Sequence, residues 1–136
     1  MIFFNNEKIY YNCLVFLYKD YGYKTSYIDK DKGLLYSKII LEKKNSPKLI
    51  IEIEKAHLEI NMFIGEEEWS LSLLYKYLHH NEVVRASYGN SDVIKKYFEN
   101  CTRKYLDDVL RNLDKLTNDD LEKFYNEFPP YVFFWI

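Results

Sequence analysis

Two short segments, Leu49–Glu54 and Leu58–Phe63, constrain this chain more than any other feature of it. Leu49, Ile51 and Ile53 and then Leu58, Ile60 and Met62 recur at every second position, against Glu52, Glu54, Glu59 and Asn61 between them. Only a strand puts residues i, i+2 and i+4 on one face. The connection Lys55-Ala56-His57 is long enough only to reverse the chain, so the two segments form an antiparallel hairpin with one apolar and one wet face. Such a sheet needs a cover on its apolar side.

The rest of the chain supplies both more strands and the cover. Tyr23–Ile28 and Leu34–Glu42 have strand character, and the breakers Asp29-Lys30-Asp31-Lys32-Gly33 and Asn45-Ser46-Pro47 separate them from each other and from Leu49. Ile9, Cys13, Phe16 and Leu17 are spaced as on a helix over about 6 to 21, and Gly22 supplies its left-handed stop. Gly65 is expected to end the sheet, and Ser70 to start a short helix through Leu78 whose buried stripe is Leu71, Leu74 and Leu78. After a loop at Tyr88-Gly89-Asn90, Ser91-Asp92 caps a long helix predicted over 91–116, with Ile94, Phe98, Cys101, Tyr105, Val109, Leu113 and Leu116 as its apolar stripe. Thr117-Asn118-Asp119-Asp120 is a fresh capping sequence for a helix over 118–127, which Pro129-Pro130 stops. The expected fold is α+β: an antiparallel meander of three to four strands, with an N-terminal helix and C-terminal helices packed on one face.

At 136 residues the chain is the size of one domain and buries roughly 68% of the surface its unfolded form exposes. Its longest apolar runs, Leu49–Ile53 and Tyr131–Ile136, fall far short of the ~20 residues that cross a bilayer. The N-terminus lacks a basic region followed by a cleavage site, so a cytoplasmic protein is expected. Cys13 and Cys101, the two cysteines, lie on apolar helix stripes and read as buried free thiols. The tail Tyr131-Val132-Phe133-Phe134-Trp135-Ile136 is too apolar to stay in water and is expected to pack in this molecule or on a second copy, as in a homodimer. Tyrosine reaches 14 residues, but Lys, Ile and Asn are also abundant and all four have A/T-rich codons, so the excess is no stacking platform for bases.

The net charge of −2 is unevenly spread. Residues 1–64 carry ten lysines against eight acidic residues, whereas 91–136 carry seven basic and nine acidic. An acidic C-terminal part without a basic stripe argues against nucleic acid and suits a basic protein partner.

The chemistry-bearing residues are few. His79 and His80 point about 100 degrees apart on a helix and complete no zinc site with His57; no metal or cofactor is expected, and exposed helix-end histidines are the plain reading. Glu66-Glu67-Glu68 before Trp69 is the densest acidic run: either a helix N-terminus favoured by the dipole, or a docking surface with an aromatic anchor ringed by carboxylates. Glu52, Glu54 and Glu59 read as cross-strand partners of Lys38 and Lys43 on the wet face. Asp107-Asp108 and Asp119-Asp120-Glu122 read as solvated helix faces or as parts of a shared acidic patch. There is no GxGxxG, P-loop, GxSxG or paired nucleophile and histidine, and four glycines leave little scope for a phosphate-cradling loop. A non-catalytic protein is expected.

The order of these elements resembles a known group. A helix ending in Phe16-Leu17-Tyr18-Lys19-Asp20-Tyr21-Gly22-Tyr23-Lys24, the strands Lys48–Glu54 and Leu58–Phe63, the acidic-aromatic Glu66-Glu67-Glu68-Trp69, Ser70-Leu71-Ser72-Leu73-Leu74 and a long amphipathic helix are laid out as in small α+β immunity proteins of bacterial polymorphic and contact-dependent toxin systems. The resemblance covers roughly residues 10–116 and carries over no functional residues. It implies a cytoplasmic, stoichiometric inhibitor that caps a cognate toxin, often a nuclease whose basic groove suits an acidic partner. On that reading Glu66, Glu67, Glu68 and Trp69 are the expected contacts, with Asp107, Asp108, Asp119 and Asp120 as a second set. The alternatives are a small enzyme or ligand-binding domain with a site assembled from scattered residues, and a self-associating accessory protein.

Overall fold

Gly22 is where the sheet begins. In the computed structural model, which describes residues 15–30, 36–54, 57–79, 87–88 and 103–127, helix α1 (Val15–Lys19) buries Phe16 and Leu17. Gly22 then turns the chain at φ +79°, a value an L side chain rarely adopts, and the Tyr23 N–H donates to the Leu17 carbonyl at 2.9 Å. Strands β1 (Lys24–Lys30), β2 (Tyr36–Glu42), β3 (Leu49–Glu54) and β4 (His57–Ile64) follow as an antiparallel meander, each paired to the next. Leu49 pairs with Met62, Ile51 with Ile60 and Ile53 with Leu58, the register that the alternation demands.

The sheet has more strands than the expected three to four. Gly65 does not end it: with φ +64° it occupies the first of two turn residues between Ile64 and Glu67, the position that a two-residue type II′ hairpin gives to glycine. Strand β5 (Glu67–Ser70) therefore returns along β4, with Trp69 opposite Met62 and Glu68 opposite Phe63. A two-residue strand β6 (Ser87–Tyr88) pairs with the start of β4, where a loop was expected. The other edge, β1, exposes Tyr27 and Ile28, and a bulge between Thr25 and Tyr27 breaks its ladder. The Ser26 hydroxyl donates to the Ile40 carbonyl at 3.3 Å within that bulge. Bulges of this kind blunt edge-to-edge pairing.

The inner face of the sheet (Ile39, Leu41, Leu49, Ile51, Ile60, Met62) forms one apolar cluster with α1 and the C-terminal helices. Helix α2 (Leu71–Leu78) starts on Ser70, whose hydroxyl accepts from the Leu73 N–H at 3.2 Å, and buries Leu71, Leu73, Leu74 and Tyr75. Helix α3, described from Arg103 to Arg111, buries Tyr105, Leu106 and Val109. It does not run on to 116. The Asn112 side-chain amide donates to the Asp108 carbonyl at 2.7 Å, its backbone N–H tightens onto Val109, and a 3₁₀ turn over Leu113–Lys115 follows. Helix α4 (Asn118–Glu127) begins where expected, with the Thr117 hydroxyl accepting from the Asp120 N–H at 3.2 Å. The far face of the sheet is mixed: Lys38, Glu52 and Glu59 form one cross-strand row, yet Ile50 is only 7% exposed there, outside the main cluster. No helix among the described residues is long and apolar enough to cross a membrane. Cys13, Cys101, the Ser91-Asp92 cap and the tail from Pro129 lie outside the described residues.

Tyr23 ties α1 to the β2–β3 turn. Its ring is buried and its hydroxyl donates to the Pro47 carbonyl at 2.7 Å. Burial, with Tyr21 adding to it, pushes its pKa up to about 12. Below about pH 10 the phenol is protonated in both folded and unfolded chains; between about 10 and 12 only the unfolded chain ionises, so folding loses about 1.4 kcal/mol per pH unit. Urea unfolding followed from pH 9 to 12 is expected to show a fall of roughly 2–3 kcal/mol from this group, and Tyr23→Phe is expected to flatten that part of the slope. An equal fall in both proteins would assign the alkaline loss to other groups.

Candidate functional site

The tight β4–β5 turn carries Glu66, and Glu67 and Glu68 follow it on β5 with side chains on opposite faces, all three exposed. They do not sit in the first turn of a helix, as one reading of the run supposed; they belong to a turn and an edge strand, and α2 has no acidic residue in its first turn. Glu68 accepts a hydrogen bond from the Asn61 amide at 2.5 Å. Trp69, next along, is half-buried rather than a free anchor. Its indole N–H donates to Asn118 Oδ1 at 2.8 Å, and its ring meets Tyr125 edge-on at 6.2 Å.

Asn118 is the residue that assembles the site. While its Oδ1 holds the indole, its Nδ2 donates to the Ile64 carbonyl at 2.8 Å. A Cβ on Gly65 would lie 3.3 Å from that nitrogen, so the turn and the start of α4 are in close contact. Asn118 thereby holds the start of α4, whose first turn exposes Asp119 and Asp120, against the turn that carries Glu66 and Glu67, across about fifty residues of sequence. Among the described residues none of these four carboxylates has a side-chain partner. Glu122 and Tyr125 are exposed on the same helix. Neither Asn118 nor Tyr125 was singled out from sequence; the capping position of Asn118 was visible, its reach to Trp69 was not.

Asp107 and Asp108 are not part of this edge. Asp107 accepts from the Tyr21 hydroxyl at 2.8 Å, with Arg103 Nε 4.0 Å away; Arg103 also approaches Asp20 at 3.6 Å and lies over the Phe16 ring. The Tyr21 phenol is held above its ordinary pKa, chiefly by burial and then by Asp107. Asp108 pairs with His79 Nε2 at 2.5 Å, and His79 stacks on Tyr75 with centroids 4.6 Å apart. His79 is thus a half-buried link between α2 and α3, not an exposed helix-end residue, and the two aspartates fasten α3 to its neighbours. Among the described residues no three His, Cys, Asp or Glu side chains come together as a metal site.

Beside the acidic edge lies an open groove of about 750 Å³ between the β2–β3 and β4–β5 turns. Phe63, Ile64, Pro47 and Leu113 give it an apolar lining, Lys48 stands on one wall and Glu66 on the other. Lys48 Nζ sits 4.7 Å from the centre of the Phe63 ring.

Asn118→Ala is expected to cut the link between the two acidic segments. Two part-buried hydrogen bonds are lost, at a net cost of about 1–2 kcal/mol. Trp69 emission is expected to shift to the red as its indole gains solvent. An unchanged spectrum and midpoint would show that the link does not order this edge.

Comparison with protein-family models, with curated proteins and with solved structures finds no match to this chain.

Proposed function

We propose that this protein is a non-catalytic, stoichiometric inhibitor of the immunity type, which binds a basic protein, a cognate toxin, through the edge formed by Glu66, Glu67, Asp119 and Asp120. One observation carries the reading: two acidic segments distant in sequence are pinned side by side by Asn118. Four exposed carboxylates without internal partners make this part of the surface negative, and that field would steer the approach of a basic surface. Their placement on a two-residue turn and a capped helix makes the charge array rigid, so little side-chain and loop ordering is needed on binding. A nuclease toxin, whose substrate groove is basic, is the partner class that such an array fits. On this reading the protein works in the cytoplasm, where it meets the toxin before export.

The test is direct binding to the product of the adjacent upstream gene, measured by calorimetry at low and high salt. A one-to-one complex in the nanomolar range that weakens steeply with salt is expected. Absence of binding at low salt, or affinity indifferent to salt, would remove the basis for the reading.

A further inference from the structure

Resting on that reading, we propose that the corner where Trp69 meets Tyr125 receives an arginine of the basic partner, its guanidinium lying on the Tyr125 ring and donating to Glu122. Tyr125 is 42% exposed although its ring meets Trp69 edge-on at 6.2 Å, and its hydroxyl has no hydrogen-bond partner among the described residues. Trp69 behind it is held by its indole N–H on Asn118, so the wall is fixed before a partner arrives. An open aromatic face attracts a cation through the ring quadrupole.

The charges around this corner have one sign. Helix α4 turns by about 100° per residue, which sets Glu122 about 60° from Tyr125 and about 40° from Asn118, the residue that faces Trp69. Asp119 lies about 60° further round on the same side, whereas Lys123, the one base of α4, falls about 160° from Tyr125. On β5, Glu67 shares the strand face of Trp69, and neither this strand nor the turn before it carries a base. Glu67 and Glu122 are exposed and have no side-chain partner among the described residues. A lysine is drawn by the same carboxylates, but the flat guanidinium can lie on a ring and donate from its edge at once.

Two capped pentapeptides of equal charge test this against the full chain labelled with ¹⁵N: one of five lysines, and the same peptide with arginine at its centre. The arginine peptide is expected to bind about three- to fivefold tighter, the ratio that a cation–π contact at an exposed site supports. It is expected to shift the Trp69 indole N–H and the Glu122 and Tyr125 amides more than the lysine peptide does. Tyr125→Leu is expected to abolish the preference, Tyr125→Phe to keep it and Glu122→Gln to reduce it. Equal binding of the two peptides, with shifts confined to Glu66, Asp119 and Asp120, would overturn the corner and leave the acidic edge standing. A preference that survives Tyr125→Leu would also overturn the corner. No binding of either peptide at low salt would count against the edge and the corner together.

Discussion

Leu74→Ala is expected to lower the stability of this protein by about 2–5 kcal/mol, the range for deleting a fully enclosed leucine side chain. Leu74 has no exposed surface and belongs to the same cluster as the inner sheet face, α3 and α4. The helix that carries it is fixed at its start by Ser70 and at its end by His79, so the backbone has little freedom to close the space left behind. Part of the cost is lost transfer energy and part is the cavity that remains. Leu74→Met, which keeps the volume, is expected to cost under about 1.5 kcal/mol. Leu78→Ala, only partly buried at the cluster's margin, is expected to fall well below Leu74→Ala. Urea midpoints of the three variants test the order. A small loss for Leu74→Ala would mean that α2 shifts to refill the site and that this helix is not held as rigidly as its caps imply.

The same helix illustrates what was legible in the sequence. The Leu71–Leu78 segment announces itself twice, by spacing and by a serine at its cap, and both signals are local; Gly22 and Thr117 are equally local. The alternation in Leu49–Glu54 and Leu58–Phe63 set the register of β3 and β4 because a slip of one residue would turn the glutamates inward. Strand β5 escaped for the opposite reason. An edge strand needs few apolar residues, and Glu67-Glu68-Trp69-Ser70 reads as polar; its one signal was Gly65-Glu66 as a two-residue turn. The end of α3 escaped because Leu113 and Leu116 keep the helical spacing while Asn112, whose side-chain amide bonds the Asp108 carbonyl, breaks the helix just before them.

The candidate site divides the same way. That Glu66–Glu68 and Asp119–Asp120 are acidic and exposed follows from composition and pattern. That the two segments carrying them meet depends on one asparagine side chain spanning Trp69 and Ile64, a tertiary contact with no trace in spacing. Asp107 and Asp108 looked equivalent to them in sequence, and only their partners Tyr21 and His79 separate them.

That separation gives the proposed function its most discriminating test. The double reversal Glu66→Lys with Asp119→Lys is expected to slow association with a basic partner about 100-fold at low salt, because it inverts the field that steers the encounter. The deficit is expected to shrink at high salt, where the Debye length falls to a few ångströms, and the dissociation rate is expected to change less. Folding is expected to survive: losing a favourable charge at the start of α4 costs about 0.3–1 kcal/mol, and part of that is offset by relief of repulsion at the edge. The control is the double reversal Glu42→Lys with Glu127→Lys, two exposed positions at the end of β2 and the end of α4. It changes net charge by the same amount and leaves the edge intact. If the control slows association as much as the edge variant, attraction is a property of overall charge and the edge has no special part in it. If only the edge variant is slowed, the array that Asn118 assembles is what the partner meets first.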